Sequence, residues 1–294
     1  GIISWAENDG GIALYIDQEL HEGAGDASRD AAHLDFSNTG MIDGGVEIDV
    51  ETKRLDIANS GDIIRTALGT AQRGLPLFGG VHAMTVTAAT AGGQVVIVTN
   101  TGTIEGEDHG GSGLLIESEA GDDDLVGSPA ANGVVSVVNE GRIAASGGAT
   151  LTPGALIGRT GTVQANQAAA LGIDSEATGN STILIENKAG AVIEASGDLR
   201  VITPTGPDSF TYQVLAGTDG SHMTAIAAVG QTVHIINSGV IKGGAGTDYS
   251  TAASPVFIEA AIVQPNCYLA GAIHTSGDEA EDGTFLPGED WVMN

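Results

Sequence analysis

From Leu34 onward the chain repeats one phrase: aliphatic residues alternate with small or polar ones, then come an asparagine, a spacer, a glycine, a spacer and an isoleucine. Leu34 and Phe36 precede Asn38, with Gly40 and Ile42 after it; Leu55 and Ile57 precede Asn59, with Gly61 and Ile63. Val96 and Val98 precede Asn100, with Gly102 and Ile104; Val135 and Val137 precede Asn139, with Gly141 and Ile143; Val233 and Ile235 precede Asn237, with Gly239 and Ile241. Alternation at period two puts the aliphatic residues on one side of a strand, so the phrase predicts short strands with one buried face. A helix does not fit, because no apolar face recurs at helical spacing and glycines interrupt every candidate stretch. In a looser copy, Ile183 and Ile185 precede Asn187 but the glycine, Gly190, comes one residue late, which predicts a one-residue bulge.

Successive asparagines of the phrase are 21, 41, 39, 48 and 50 residues apart. A coil of about 20 to 25 residues, taken once in the first gap and twice in each later one, accounts for all of them. Plainer strands fall between the marked copies: Leu114-Leu115-Ile116, Ala155-Leu156-Ile157, Leu171-Gly172-Ile173, Val201-Ile202, Met223-Thr224-Ala225-Ile226 and Val256-Phe257-Ile258. One coil cannot fold alone. Burying three or four aliphatic residues at roughly 1.5–3 kcal/mol each does not offset about 1–2 kcal/mol of backbone entropy for each of some twenty residues. The expected fold class is therefore all-β: a parallel β-helix solenoid in which stacked coils bury continuous aliphatic columns.

The asparagine and the glycine have separate expected roles at the corner of each coil. Asparagine tolerates left-handed backbone geometry, and its amide can bond its equivalents above and below as an internal ladder. Glycine is expected to supply a positive φ at the tight turn. The corner residues are thus Asn38, Gly40, Asn59, Gly61, Asn100, Gly102, Asn139, Gly141, Asn187, Gly190, Asn237 and Gly239. Three regions follow: an N-terminal segment 1–33 without the phrase, the coils 34–273, and an acidic C-terminal cap or tail 274–294. In the first, apolar runs flank Asn8-Asp9-Gly10-Gly11, a turn signal that joins two strands, read as a cap over the first coil or an arm that pairs with a neighbouring subunit.

Charge narrows the partners. Ten Lys and Arg face 38 Asp and Glu, a formal net charge of −28, which disfavours nucleic acid and anionic lipid surfaces. The acidity reads first as a solvated surface and second as oxygen ligands for calcium. For calcium the candidates are Asp108, Asp122, Asp123, Asp124, Asp278 and Asp282, which lie in glycine-rich turns without a recognised calcium-loop spacing. Cys267 is the single cysteine, so no internal disulfide is available. No apolar run of transmembrane length occurs, so no membrane insertion is expected. The start at Gly1 fits a removed secretory leader.

Val98-Thr99-Asn100-Thr101-Gly102-Thr103-Ile104-Glu105-Gly106 and Ile236-Asn237-Ser238-Gly239-Val240-Ile241-Lys242-Gly243 resemble the repeats of bacterial autotransporter passenger domains and filamentous haemagglutinin-like adhesins. The resemblance covers roughly 34–273 and implies a right-handed parallel β-helix at the bacterial cell surface or outside the cell. No barrel-like series of alternating segments follows the repeats within this sequence. The function expected is that of a secreted, non-catalytic structural protein, either self-associating into a filament, sheath or layer through its terminal strand arms or presenting an adhesive face to surface glycans. No cofactor is expected beyond calcium.

The alternative is a polysaccharide-degrading β-helix enzyme, for which carboxylates such as Asp122, Asp123, Asp124 and Glu186 are available. Against it, Lys and Arg are sparse and the tryptophans, Trp5 and Trp291, lie near the termini. The histidines show no helical two-ligand zinc spacing, and no nucleophile-elbow glycine pattern surrounds a serine. His234 and Lys242 are residues the repeat does not require and are expected on the outside.

Overall fold

Each coil of the chain runs through three strands and then climbs to the next level. The computed structural model describes residues 2–4, 12–18, 33–65, 82–107, 111–121, 130–148, 150–153, 163–166, 169–206, 209–215, 224–243, 273–276 and 291–293. The first coil holds Ile2–Ser4 (β1), Leu14–Gln18 (β2) and His33–Asn38 (β3); the second holds Met41–Asp43 (β4), Val46–Glu51 (β5) and Arg54–Asn59 (β6). The third holds Asp62–Arg65 (β7), Met84–Thr90 (β8) and Gln94–Asn100 (β9); the fourth holds Thr103–Gly106 (β10), Leu114–Ala120 (β11) and Gly133–Asn139 (β12). In the fifth, Arg142–Ala145 (β13) is followed by an insertion, Thr150–Pro153 (β14) and Val163–Asn166 (β15), before Ala169–Ala177 (β16) and Ser181–Asn187 (β17). In the sixth, Val192–Ala195 (β18) is followed by Leu199–Gly206 (β19) and Ser209–Leu215 (β20), then Thr224–Val229 (β21) and Thr232–Asn237 (β22). Val240–Lys242 (β23), Ile273–Ser276 (β24) and Trp291–Met293 (β25) make the last.

These strands build three seven-stranded parallel sheets: β1-β4-β7-β10-β13-β18-β23, β2-β5-β8-β11-β16-β21-β24 and β3-β6-β9-β12-β17-β22-β25. The chain is a parallel β-helix solenoid, as the period-two pattern requires. The two insertions form a side sheet, β15-β14-β19-β20, in which β14 and β19 pair in parallel.

The stack is strictly in register, which makes columns of like residues. In the first sheet Ile42, Ile63, Ile104, Ile143 and Ile193 lie one above another and are buried, with Ile241 next in line. In the third, Leu55, Val96, Val135, Ile183 and Val233 make one buried column and Ile57, Val98, Val137, Ile185 and Ile235 another. The second contributes Ile48, Val86, Ile116 and Ile173. At roughly 1.5–3 kcal/mol for each buried aliphatic side chain, these columns supply the stabilisation that a lone coil lacks.

The register overturns the expected coil length. Asn38, Asn59, Asn100, Asn139, Asn187 and Asn237 are direct neighbours in the third sheet, so every gap between them is one coil. Long gaps arise because segments are inserted inside coils, mostly between the first and second sheets. Leu114–Ile116, Leu171–Ile173 and Thr224–Ile226 are second-sheet strands of the marked coils rather than separate coils. Val201 and Ile202 belong to the side sheet, and residues 155–157 and 256–258 lie outside the described residues.

The termini also differ from expectation. β1 and β2 do not form a hairpin around residues 8–11. They join different sheets, each pairing in parallel with the second coil, so both strands belong to the stack. Likewise β24 crosses the expected 273/274 boundary, and it and β25 extend the second and third sheets. In-register apolar residues at both ends allow this without the asparagine phrase.

The corner residues have a different physics from the one expected for glycine. The φ of +85° at Gly190 is positive, but the positive-φ glycines do not include Gly40, Gly61, Gly102, Gly141 or Gly239. What excludes a side chain there is the coil beneath. A Cβ on Gly61 would collide with the Gly40 carbonyl oxygen, one on Gly102 with that of Gly61, one on Gly141 with that of Gly102, and one on Gly239 with that of Ala191. Nor is Gly190 the equivalent corner. Val192 pairs with Arg142 and the Val192 N–H donates to the Gly141 carbonyl at 2.9 Å, so Ala191 occupies the stacking position. The turn after Asn187 is thus longer by two residues, and Gly190 sits in the extra loop with open space around it.

Candidate functional site

The asparagine ladder joins the coils but is inside. Asn38 Nδ2 donates to Asn59 Oδ1 at 2.8 Å, and the same bond runs from Asn59 to Asn100, Asn100 to Asn139, Asn139 to Asn187 and Asn187 to Asn237 at 2.8–2.9 Å. Each of Asn38, Asn59, Asn100 and Asn139 also donates to the carbonyl of its own corner glycine at 3.1–3.3 Å. These amides are satisfied by protein and hold nothing else, so candidate binding chemistry lies on the outward faces.

The outward face of the second sheet is acidic. Alternation in Val46–Glu51, Leu114–Ala120 and Ala169–Ala177 sends every second residue outward, and register stacks Asp17 on Asp49, Glu117 on Asp174 and Glu119 on Glu176. Adjacent strands are about 4.8 Å apart, so each like-charged pair repels by about 0.9 kcal/mol at the dielectric of water. The sequence carries this face as acids at every other position, a signal that becomes readable once the strands are assigned.

On the outward face of the third sheet, at its first two strands, His33, Asp35 and Asp56 offer ligand atoms within 4.8 Å of one another. His33 Nε2 lies 2.7 Å from Asp56 Oδ2 and 3.3 Å from Asp35 Oδ1. Arg54 occupies the same carboxylate: its Nε donates to Asp56 Oδ2 at 2.7 Å and its Nη2 to Oδ1 at 3.0 Å. With both oxygens engaged, the hydrogen bond from Arg54 holds the Asp56 carboxyl below its usual range. The group is a closed ion-pair network, and a cation entering it would have to displace the guanidinium.

A third cluster lies where the first sheet turns toward the second, the side that carries most insertions. Such insertions in solenoids gather on one face, where binding usually resides. Arg65 is buried, and its Nη1 donates to the Gly44 carbonyl. The Glu107 N–H donates to the Arg65 carbonyl at 2.8 Å, and burial, then Glu105 and Asp43, raise the Glu107 carboxyl above its usual range. His82 Nδ1 accepts from the Ser112 N–H at 2.9 Å while burial depresses its basicity, so the ring is neutral with its proton on Nε2. Nearby on the same sheet, Arg142 bridges two coils, with Nη1 3.1 Å from Glu105 and Nη2 2.7 Å from Glu194.

The calcium candidates Asp108, Asp122, Asp123, Asp124, Asp278 and Asp282 lie outside the described residues. Glu186 is paired with Lys188. His234 is half-buried on the outward face and Lys242 is exposed. Sequence reasoning missed the His33–Asp56 pair, whose members lie 23 residues apart and meet only through the register of the first two coils. It also missed the Glu107 corner, which depends on the turn between sheets.

In comparison with known proteins, no family model, no curated protein and no solved structure matches the chain.

Proposed function

We propose that this chain is a secreted, non-catalytic structural protein of the bacterial cell surface, a β-solenoid that self-associates or presents an adhesive face to surface glycans. The observation that carries the reading is the asparagine ladder: six coils are tied by one continuous line of amide hydrogen bonds at 2.8–2.9 Å, flanked by an isoleucine column and by a column of corner glycines in which Ala191 takes one place. The repeat is spent on holding coils together, which suits a load-carrying rod or spacer. The described strands leave β1, β2 and β3 at one end of the three sheets and β23, β24 and β25 at the other. A further coil, from the same chain or from another copy, continues those ladders by parallel strand pairing. In this form the contact runs through whole coils rather than through separate arms.

Electron microscopy of the purified protein tests the reading. Rods or sheets longer than one molecule are the expected result, and strictly single particles at high concentration overturn the self-associating form. A second reading, a polysaccharide-degrading enzyme, draws on the Glu107 carboxyl, which burial and then Glu105 raise above its usual range, since a carboxyl raised in this way suits the acid of glycosidic cleavage. Reducing-end release from acidic polysaccharides, abolished by Glu107→Gln, would favour it over the structural reading.

A further inference from the structure

A second polar line runs inside the solenoid, at the corner where the second sheet turns into the third. In the third and fourth coils side chains close it. Ser118 is buried in β11, and its hydroxyl donates to Gln94 Oε1 at 2.6 Å. Gln94, itself buried at the start of β9, donates from Nε2 to the Thr52 carbonyl at 3.2 Å.

One coil further up the same two places are taken by other residues. Ser175 stands on Ser118 in the second sheet, and Gly133 stands on Gln94 in the third. Ser175 is fully buried, at 0% exposure, and the residue opposite has no side chain to offer it. A Cβ on Gly133 would lie 3.5 Å from Ser175 Oγ and from Ala120 Cβ and 3.6 Å from the Glu176 carbonyl oxygen. Those are ordinary contact distances, so the position beside Gly133 is open and is bordered by a hydroxyl and a carbonyl. Among the described residues no protein group hydrogen-bonds to Ser175 Oγ. The next hydroxyl up is satisfied again: Ser181 stands on Gly133, and its Oγ accepts from the Gln231 N–H at 2.7 Å.

We propose that one water molecule is bound beside Gly133, inside the solenoid between the fourth and fifth coils, in the role that the Gln94 amide has one coil below. A hydroxyl taken out of water without a partner is costly, and buried polar groups of folded proteins are met by protein or by ordered water. A buried water needs roughly two to four polar partners. Ser175 Oγ can both donate to it and accept from it. Ser118 Oγ, directly below in register, donates to Gln94 and keeps lone pairs for a second contact. The Glu176 carbonyl oxygen borders the same space. Glycine at position 133 keeps that space free, and any larger side chain competes with the water for it.

A crystal structure of the full chain at a resolution that shows ordered water tests the site directly. One peak within hydrogen-bonding distance of Ser175 Oγ, on its Gly133 side, is expected in every copy. A site without that peak, with the hydroxyl turned onto a backbone carbonyl, overturns the proposal. Thermal unfolding gives an independent readout. Ser175→Ala removes the anchor of a satisfied site and should lower the melting midpoint by about 2 °C. Were the hydroxyl unmet, the same change would relieve it, so a midpoint at or above wild type overturns the proposal. Gly133→Ala puts a methyl where the water sits and strands the hydroxyl. It should therefore lower the midpoint more in the wild-type background than in the Ser175→Ala background. Equal shifts in the two backgrounds mean that the methyl fills dry space, and they too overturn the proposal.

Discussion

The side-chain amide of Asn59 donates to Oδ1 of Asn100 at 2.8 Å although the two residues are 41 positions apart in the chain. Both are buried, and Asn100 passes the bond on to Asn139 at 2.8 Å. Replacing Asn100 by alanine removes two links and leaves the Asn59 amide and the Asn139 oxygen short of a partner. The Asn59 amide keeps the Gly61 and Thr103 carbonyls and the Asn139 oxygen keeps the Gly141 N–H, so the cost is that of lost hydrogen bonds, about 0.5–1.5 kcal/mol each, in a chain whose members reinforce one another. Asn100→Ala should therefore lower stability in urea unfolding by about 1–3 kcal/mol. Asn38→Ala, in the first coil and with a single ladder neighbour, should cost about half as much.

Two glycines that look alike in the sequence should respond differently to alanine. At Gly102 the added Cβ meets the Gly61 carbonyl oxygen, part of a rigid backbone column that cannot yield. At Gly190 the added Cβ meets nothing within 4 Å, and the only penalty is a φ of +85°. A left-handed alanine costs about 1–2 kcal/mol, whereas overpacking costs about 1–3 kcal/mol and more where the atom met is backbone that cannot shift. Thermal unfolding of Gly102→Ala and Gly190→Ala should place the first well below the second. Equal midpoints would contradict the close stacking.

These cases show what the sequence makes legible. The positions of Asn100 and Gly102 stand out because alternation and corner fall within one short window. Their neighbours do not, because the chain returns to the ladder after 21 residues once and after 50 residues elsewhere. Nothing local separates two coils from one coil with an insertion, and strands such as Leu114–Ala120 have the same period two as marked ones. Val46–Glu51 and Met84–Thr90 escaped notice for a related reason, having no corner asparagine beside them. The cause of the corner glycine was equally hidden, since a dihedral angle is a property of one residue and a backbone collision is a property of two coils. The His33–Asp56 contact and the place of the Ser175 hydroxyl opposite Gly133 follow only when the register is known.

Acid titration should separate two carboxylates that are shifted in opposite directions. Asp56 has a folded pKa below its unfolded value, chiefly through the hydrogen bond from Arg54, so its contribution is complete above about pH 4 and is lost as pH falls through the depressed value. Glu107 has a folded pKa above its unfolded value, chiefly through burial, so its contribution is complete below about pH 4 and is lost as pH rises through the elevated value. Asp56→Asn should lower the melting midpoint at neutral pH, with the difference from wild type closing in acid. Glu107→Gln should raise the midpoint at neutral pH, and that difference should also close in acid. Melting curves across pH 2–8 check both, and a Glu107→Gln curve lying below wild type at neutral pH would contradict the assignment.

The stacked acids of the second sheet should make stability depend on salt. Glu117 lies beside Asp174 and Glu119 beside Glu176 in register, and Asp17 lies beside Asp49. Each contact costs about 0.9 kcal/mol in water at low ionic strength, and the screening length shortens to about 10 Å at 0.1 M and about 3 Å at 1 M salt. The melting midpoint should therefore climb with NaCl and level off. Glu117→Gln should raise the midpoint in dilute buffer by the equivalent of up to about 1 kcal/mol and should leave it unchanged at high salt. Calcium chloride at matched ionic strength distinguishes screening from coordination. If the acids are only screened, the calcium and sodium curves coincide once ionic strength is equal. If carboxylates such as Asp122, Asp123 and Asp124 bind the ion, calcium raises the midpoint further, in the logarithmic dependence on free ion that binding to the folded state imposes, and the excess disappears when they are changed to asparagine.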